Sequence, residues 1–246
     1  MPRSWIVPDW PAPAHVRAFV TTREGGVSRG AYASLNLGTQ SGDDPQDVER
    51  NRLVVREHLP SMPRWLTQVH GTAVADLDAM EDSEVARADA AVTGKPDRVA
   101  AVLTADCMPL FFSDSRGSRV AVAHAGWRGL AAGVVENTLR AMQADPRDIV
   151  AWMGPAIGPA AFEVGPEVRE AFVAADADAS DAFRPHTPGK FMADLYALAR
   201  RRLARAGVHS VHGGGFCTVS EADRFFSYRR EKASGRMGAF IWIGAP

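Results

Sequence analysis

The sequence predicts an α/β (α+β) fold in which helices flank layered, mixed β-sheets. Strand-like apolar runs recur along the 246 residues, and segments with helical patterns lie between them. Several of the apolar runs are continuous rather than alternating, which indicates strands that are covered on both faces. A chain of 246 residues, of which 46% are hydrophobic, can bury a sizeable core. We expect residues 1–246 to form a single domain.

The predicted strands are short apolar runs distributed from the N-terminal to the C-terminal part of the chain. They cover residues 16–22, 64–70, 98–106, 119–125, 148–154, 208–214 and 239–244. Residues 175–190 are rich in small and turn-forming residues, so we expect a surface loop there.

Four segments carry helix signals. Asp44 and Pro45 are typical of an N-cap followed by proline at the first helical position, which predicts a helix to about His58. The other predicted helices lie within residues 129–143, 165–174 and 193–207. The last of these has basic residues near its C-terminal end, where the helix dipole favours them, and Gly207 as its C-cap.

The charge balance excludes several classes of partner. The chain has 28 basic and 29 acidic residues, so no bulk field attracts nucleic acid or an anionic membrane. No apolar run has the length of a membrane span, and the N-terminus lacks the apolar region of a signal peptide. We therefore expect a cytoplasmic monomer that acts on a small molecule. In that compartment, a disulfide between Cys107 and Cys217 is not expected.

Three ligand-type residues stand at the ends of predicted strands, namely His70, Cys107 and His124. Side chains from several strands converge at such ends in α/β folds. Two imidazoles and one thiolate form a zinc ligand set that leaves a fourth position for water or substrate. Their long spacing does not force them together, and a buried cysteine is usually a small hydrophobic residue.

Two other kinds of chemistry remain open for the same residues. Cys107 is a candidate nucleophile with His124 or His70 as its base, and Asp106 is a candidate for orienting that histidine. Copper is the other possibility, because two histidines, a cysteine and the adjacent Met108 match a blue-copper ligand list. The seven histidines of the chain are too few for a multicopper oxidase with a trinuclear cluster.

Other motifs contain candidate substrate-binding residues. Arg23 lies in the glycine-rich turn TTREGGVSRG, which suits an anion but is also typical of a solvated hairpin. Asn36 in ASLNLG either binds ligand or holds a loop. The remaining candidates are Gln68 in QVHG, Arg128 in AHAGWRG, and Tyr228 and Arg229 in FFSYRR.

Read together, the motifs are more specific than any one of them. TTREGGVS, SLNLG, QVHG, TADCMP, AHAGWRG, GPAIGP, FEVG, CTVSEADRFFSYRR and GRMGAFIWI occur in this order, from about Phe19 to Ile243. The sequence closely resembles the YfiH family, also called laccase-domain or polyphenol-oxidase-like proteins. This resemblance implies a layered α/β fold similar to the core of cysteine hydrolases. It also implies that His70, Cys107 and His124 are metal ligands, with zinc as the metal.

The resemblance implies more than one activity. Family members are described as purine nucleoside enzymes, with phosphorolysis of adenosine, inosine and methylthioadenosine and with deamination of adenosine. Polyphenol oxidation with bound copper and the editing of peptidoglycan precursors by a Cys–His hydrolase are the alternatives. In the leading hypothesis the ligands are a purine nucleoside and phosphate, and Arg23 and Arg229 are candidates for the phosphate.

Overall fold

The chain forms three β-sheets flanked by helices in a computed structural model that describes residues 2–245. The described strands are β1 (Val16–Val20), β2 (Val74–Asp76), β3 (Ala90–Thr93), β4 (Ala100–Thr104), β5 (Met108–Asp114), β6 (Val120–Ala125), β7 (Ile149–Met153), β8 (Glu163–Val164), β9 (Phe183–Pro185), β10 (Phe191–Ala193), β11 (Ser210–Gly213) and β12 (Met237–Ile243). The described α-helices are α1 (Pro45–Arg56), α2 (Trp127–Ala132), α3 (Val134–Met142), α4 (Pro166–Val173), α5 (Leu195–Arg205) and α6 (Tyr228–Glu231).

The sheets are mixed, as the sequence predicts. The largest has six strands in the order β11-β7-β5-β6-β3-β2, with β2 parallel to β3 and β11 parallel to β7. The other neighbouring pairs in this sheet are antiparallel. A second, antiparallel sheet has the order β1-β12-β4, and a small third sheet has the order β8-β10-β9.

The two larger sheets are stacked between helices. Phe111 of β5 and Ile241 of β12 belong to one buried cluster between the sheets. The preceding residue of β5, Leu110, packs on the opposite face with Leu139 of α3 and Leu198 of α5. On the far side of the second sheet, α1 contributes to a third cluster. Both faces of the central strands are therefore covered, which explains the continuous apolar runs.

Most of the predicted helices are confirmed, with one division. The Asp44 side chain accepts a hydrogen bond from the Gln46 N–H, so the predicted N-cap of α1 is confirmed. The helix predicted over residues 129–143 is divided into α2 and α3 at Gly133, whose φ of 106° is left-handed. Glycine adopts that conformation without strain. Within residues 2–245, no helix is long and apolar enough to cross a membrane.

Residues 64–70 do not form the predicted strand. Apart from a single bridge between Arg64 and Ala100, this segment is irregular. The physical reason is that side chains form hydrogen bonds that a neighbouring strand would otherwise form. The Asp89 carboxylate accepts from the backbone of this segment. The Gln68 amide donates to the Leu103 carbonyl (2.9 Å) and accepts from the Leu103 N–H (2.7 Å), so a side chain replaces a strand neighbour beside β4.

Two further details concern strand β5 and the predicted surface loop. Pro109 is the second residue of β5 and lies opposite His124 of β6. A proline is tolerated near the first residue of a strand, where its missing N–H is not needed. The predicted surface loop 175–190 contains a 3₁₀ segment, Ala177–Ala182, and strand β9, since Ala179 and Phe183 pack into the core.

Candidate metal centre

The structure brings together the side chains of His70, Cys107 and His124. Their ligand atoms all lie within 4.8 Å of one another, and no other group of three such residues occurs within residues 2–245. The two imidazole rings are 4.8 Å apart between centroids and nearly perpendicular, at 75°. The exposure of the three side chains grades from buried His124 through half-buried Cys107 to exposed His70. A metal ion held here would therefore be open to solvent on one side.

Each of the three residues comes from a different part of the backbone. His124 is the second-last residue of β6, and Cys107 lies in the bend that precedes β5. The register pairs Met108 with Ala125, which places Cys107 beside Gly126. A Cβ atom on Gly126 would lie 2.7 Å from Cys107 Sγ and 3.3 Å from His70 Cδ2. Only glycine leaves the space that the Cys107 and His70 side chains occupy.

A buried carboxylate holds the loop that carries His70. Asp89 is fully buried, and its oxygens accept hydrogen bonds from the N–H groups of Val69 (3.1 Å), His70 (2.8 Å) and Gly71 (2.7 Å). His70 itself has a left-handed φ of 59°, which is uncommon for a residue other than glycine. The three charge-assisted bonds to Asp89 offset the cost of this conformation.

The same carboxylate also orients His124. Asp89 Oδ1 lies 2.9 Å from His124 Nδ1, and the His124 N–H donates to the Asp89 carbonyl oxygen at 2.7 Å. Since Nδ1 is engaged by the carboxylate, Nε2 is the ring atom left for a ligand. A carboxylate behind a histidine is the usual support of histidine metal ligands. The donor set and its support therefore fit a metal ion.

The electrostatics prepare the thiol for metal binding. Burial raises the pKa of Cys107, but the charge of His124 and hydrogen bonds from His124 and His70 outweigh it and lower the pKa to about 6. Burial lowers the pKa of His124, but the charge of Cys107 and the hydrogen bond to Asp89 raise it to about 9. At neutral pH the metal-free site holds a thiolate beside an imidazolium. The thiolate is the form that binds metals.

The pKa of Asp89 is shifted by the same contacts. Burial raises it, but the hydrogen bonds from His124, Gly71 and Val69 and the charge of His124 together lower it to about 2. The carboxylate is therefore ionised at neutral pH, and it stays an acceptor for all its partners.

A cavity of about 670 Å³ opens above the three ligand-type residues. Its walls combine aromatic side chains with arginines, among them Trp65, Trp127, Phe162, Arg52 and Arg236. Within residues 2–245 its lining includes a single acid, Asp106. Such a mixture of flat apolar surface and a few charged groups is typical of a small-molecule site.

Four of the predicted substrate-binding residues line this cavity, namely Gln68, Arg128, Tyr228 and Arg229. The Gln68 amide is already paired on both sides with Leu103. The Arg229 guanidinium donates to the Glu163 carbonyl at 2.8 Å. Arg128 and Tyr228 are exposed at the mouth of the cavity and remain available to a ligand.

The other two predicted substrate-binding residues do not line it. Arg23 Nε donates to the Ala33 carbonyl (2.8 Å), and another nitrogen of its guanidinium donates to the Ala222 carbonyl (2.9 Å). This arginine therefore ties two loops together and does not line the cavity. Asn36 is fully buried and holds a loop, which was one of its two interpretations.

Asp106 lines the cavity but does not contact either histidine through a hydrogen bond in the described residues. Its carboxylate accepts from the Thr218 hydroxyl (2.6 Å) and the Arg229 N–H (2.7 Å), and its carbonyl accepts from the Ile157 N–H (2.9 Å). Asp106 thus joins three loops around the cavity. The carboxylate that orients His124 is Asp89 instead.

Sequence reasoning missed Asp89, Gly126, Arg52 and Arg236. Asp89 directly precedes the buried strand β3, which is a weak local signal for a functional acid. Its partners lie 19 and 35 positions away along the chain, at His70 and His124. No spacing rule connects residues so far apart.

The fold and the site together define a layered α/β protein with an open His–Cys–His centre that can hold a metal ion. A family described as multi-copper polyphenol oxidoreductase laccase matches residues 17–244. The chain therefore belongs to this family.

Curated relatives and solved structures are similar over nearly the whole chain. A Pseudomonas aeruginosa protein named purine nucleoside phosphorylase is 54% identical over 98% of this chain and 98% of its own. Escherichia coli purine nucleoside phosphorylase YfiH is 54% identical over 97% of this chain and 98% of its own. A Neisseria meningitidis crystal structure assigned to DUF152 has a TM-score of 0.95 and 50% identity, covering 99% of this chain and 100% of that one. Bacillus licheniformis YfiH has a TM-score of 0.85 and 30% identity, covering 93% and 92%.

Proposed function

We propose that this protein is a zinc-dependent purine nucleoside enzyme, which catalyses phosphorolysis of adenosine, inosine and methylthioadenosine and deaminates adenosine. The observation that carries the proposal is the convergence of His70, Cys107 and His124 at the base of a cavity with aromatic and cationic walls. The names of the relatives that are 54% identical support the choice of substrate class.

The cavity offers a suitable environment for a purine nucleoside. Phe162 and Trp127 contribute aromatic side chains to its lining, and exposed Tyr228 also lines it. When bound, zinc supplies Lewis-acid activation of water, which deamination at C6 requires. The chain's own contribution is to hold Cys107 as a thiolate and to fix the ring of His124 through Asp89.

Phosphorolysis makes a different demand on the cavity. The C1′–N9 bond breaks, a phosphate oxygen forms the new bond to C1′, and the base leaves with a proton. The protein must therefore hold a phosphate dianion next to a sugar that develops positive charge. The positively charged lining of the cavity provides guanidinium groups for this anion.

The test uses purified protein with a measured zinc content. Adenosine is supplied with and without phosphate, and adenine, inosine and hypoxanthine are separated by chromatography. We expect adenine and ribose 1-phosphate only when phosphate is present, inosine in either case, and a loss of at least a hundredfold in Cys107→Ala. Product formation no greater than in Cys107→Ala would contradict the proposal.

A Cys–His hydrolase is the second candidate, and one observation specifically favours it. Cys107, His124 and Asp89 form the sequence of nucleophile, base and orienting acid found in nucleophilic hydrolases. If this chemistry operates, hydrolysis of a peptide or amino-acyl substrate related to peptidoglycan precursors persists after chelation of the metal. Hydrolysis that requires zinc, or that survives Cys107→Ala, would exclude a thiolate nucleophile.

Phenol oxidation by bound copper receives less support from the arrangement of ligands. The family description names several coppers, whereas residues 2–245 contain one group of three convergent ligands. A trinuclear cluster requires more histidines than this group supplies. Comparing phenol oxidation by zinc-loaded and copper-loaded protein distinguishes the two metals.

A further inference from the structure

The cavity has an unusual charge balance that the proposed metal chemistry does not explain. Four arginines line it, namely Arg52, Arg128, Arg229 and Arg236, and Asp106 is the only acid among its described lining residues. Both carboxylate oxygens of Asp106 are engaged by Thr218 and by the backbone of Arg229. The cavity is therefore strongly positive, which suits a ligand with more than one negative charge.

Two of these arginines differ from the others in burial. Arg128 and Arg229 are exposed, so water can solvate their charges, whereas Arg52 and Arg236 are half-buried. None of the four has a carboxylate partner within 4.0 Å in the described residues. Burial lowers the pKa of Arg52 and of Arg236. A desolvated cation without a counter-charge is costly, and a bound anion would remove that cost.

Arg52 is held in place by contacts that leave part of its guanidinium free. The group stacks on the Trp65 ring at 4.1 Å from the centroid, and its Nε donates to the Leu37 carbonyl at 3.0 Å. No hydrogen bond within residues 2–245 engages its two terminal nitrogens. A fixed guanidinium with two free nitrogens is the geometry that grips an oxyanion through parallel hydrogen bonds.

Arg236 is positioned by contacts with the same segment, residues 36–38. Its N–H donates to the Asn36 side-chain oxygen (2.9 Å), and its carbonyl accepts from the Leu37 N–H (3.1 Å). A Cβ atom on Gly38 would lie 2.7 Å from Arg236 Cγ, so this glycine leaves the space that the arginine side chain occupies. One nitrogen donates to the carbonyls of Ser234 and Gly235, and the others have no partner in the described residues.

Both arginines are therefore anchored on residues 37–38, Arg52 through its guanidinium and Arg236 through its backbone and the base of its side chain, and they line one cavity. Arg236 is also close enough to the metal centre for the charges of Cys107 and Asp106 to act on its pKa. An anion held by the pair would lie within the same cavity as a nucleoside placed over the three ligand-type residues.

We propose that Arg52 and Arg236 form an oxyanion subsite that binds a phosphate dianion as the co-substrate. This inference rests on the proposed phosphorolysis for its biological role, but the binding of phosphate is testable without turnover. In this assignment Arg23 is no longer a phosphate-binding residue, and Arg52 and Arg236 join Arg229 as candidates for that role.

The direct test measures binding of inorganic phosphate to zinc-loaded protein by calorimetry and by ³¹P line broadening. We expect at least tenfold weaker binding in Arg52→Met and in Arg236→Met. Arg169→Met is the matched control, because Arg169 is also half-buried, lies 5.4 Å from the Phe191 centroid and is outside the cavity. Its phosphate affinity should stay within twofold. Equal phosphate affinity in the wild type and in both cavity variants would overturn the subsite.

Two further variants guard against loss of the fold. Arg236→Lys keeps the charge but not the forked geometry, and Gly38→Ala displaces Arg236 without changing any charge. Both should weaken phosphate binding by threefold or more while the far-ultraviolet circular dichroism remains that of the wild type. Wild-type affinity in both folded variants would contradict the geometric role of Arg236.

The kinetic arm separates this inference from the proposed function. If phosphorolysis occurs, both methionine variants should raise the KM for phosphate at least tenfold, and Arg169→Met should leave it within twofold. Arginine-dependent phosphate binding without phosphorolysis would refute the proposed function and leave the subsite standing. Phosphorolysis with an unchanged KM for phosphate would refute the subsite alone. Much tighter binding of a nucleoside 5′-monophosphate than of inorganic phosphate would overturn the assignment as co-substrate.

Discussion

Asp89 Oδ1 lies 2.9 Å from His124 Nδ1, and the same carboxylate accepts the backbone N–H groups of the loop that carries His70. One buried acid thus fixes two of the three ligand-type residues. It acts on His124 through the side chain and on His70 through the backbone. The geometry of the centre depends on Asp89 although its carboxylate is not one of the three ligands.

Replacing Asp89 by asparagine should therefore weaken zinc binding by about ten- to a hundredfold, as is usual for the loss of a carboxylate behind a histidine ligand. The amide also directs an NH₂ group toward backbone N–H donors, so the melting temperature should fall. A chelator competition assay measures the first effect. Asp82→Asn serves as the control, since the Asp82 side chain is 86% exposed. Wild-type zinc affinity in Asp89→Asn would show that the ligands hold their positions unaided.

Gly126→Ala should weaken zinc binding while the protein remains folded. The added methyl group would lie 2.7 Å from Cys107 Sγ, closer than real Cβ contacts allow, so the thiolate must move. We expect zinc affinity to fall at least tenfold, with the circular dichroism of the wild type. An alanine variant that binds zinc normally would mean that the thiolate of Cys107 is not a ligand in the position seen here.

Zinc binding should release about one proton at neutral pH. The pKa of Cys107 is lowered to about 6, so the thiol is already ionised, whereas the pKa of His124 is raised to about 9 and its proton must leave. The apparent affinity therefore rises as the pH increases from 7 toward 9. Calorimetry in buffers of different ionisation enthalpy counts the protons. Release of two protons, or of none, would contradict this charge state.

The metal-free protein should react with iodoacetamide at Cys107 with a pH midpoint near 6, because the thiolate is the nucleophile. Zinc should protect the thiol. The measurement is made in a Cys217→Ala background, since the chain has a second cysteine with a lowered pKa. A midpoint near that of an ordinary thiol, about 8.5, would show that His124 does not stabilise the thiolate.

Asn36→Ala should lower the free energy of unfolding by about 2–4 kcal/mol, because a fully buried amide loses several partners at once. Asn36 donates to Ser41 and Asp43 and accepts from Gly38 and Arg236. Urea unfolding gives the value.

Asn137→Ala is the matched control for this experiment. Asn137 is only half-buried and makes two hydrogen bonds, with Thr72 and Arg140, so its loss should cost about 1 kcal/mol. Equal losses in the two variants would mean that burial of the Asn36 amide adds nothing to the contribution of its hydrogen bonds.

Local sequence was informative where the structure depends on neighbouring residues. The Asp44–Pro45 pair predicted the start of α1, and the apolar runs predicted β1, β4, β6, β7 and β12 within a few residues. The strand predicted over residues 64–70 was wrong, because the apolar residues of this segment do not reveal where its backbone hydrogen bonds go. They go to Ala86 and to Asp89, while the Gln68 side chain pairs with Leu103, and all three partners are distant in sequence.

The sequence by itself determined the class of fold, because covered strands and capped helices carry their signals in adjacent residues. Through its ordered motifs, it also determined which three residues to examine as metal ligands. Only the tertiary structure decided that Asp89 supports two of them, that Arg23 does not line the cavity and that Arg52 and Arg236 do. The physical reason is that these roles depend on distance and burial between segments far apart in the chain, and no local pattern of residues specifies either.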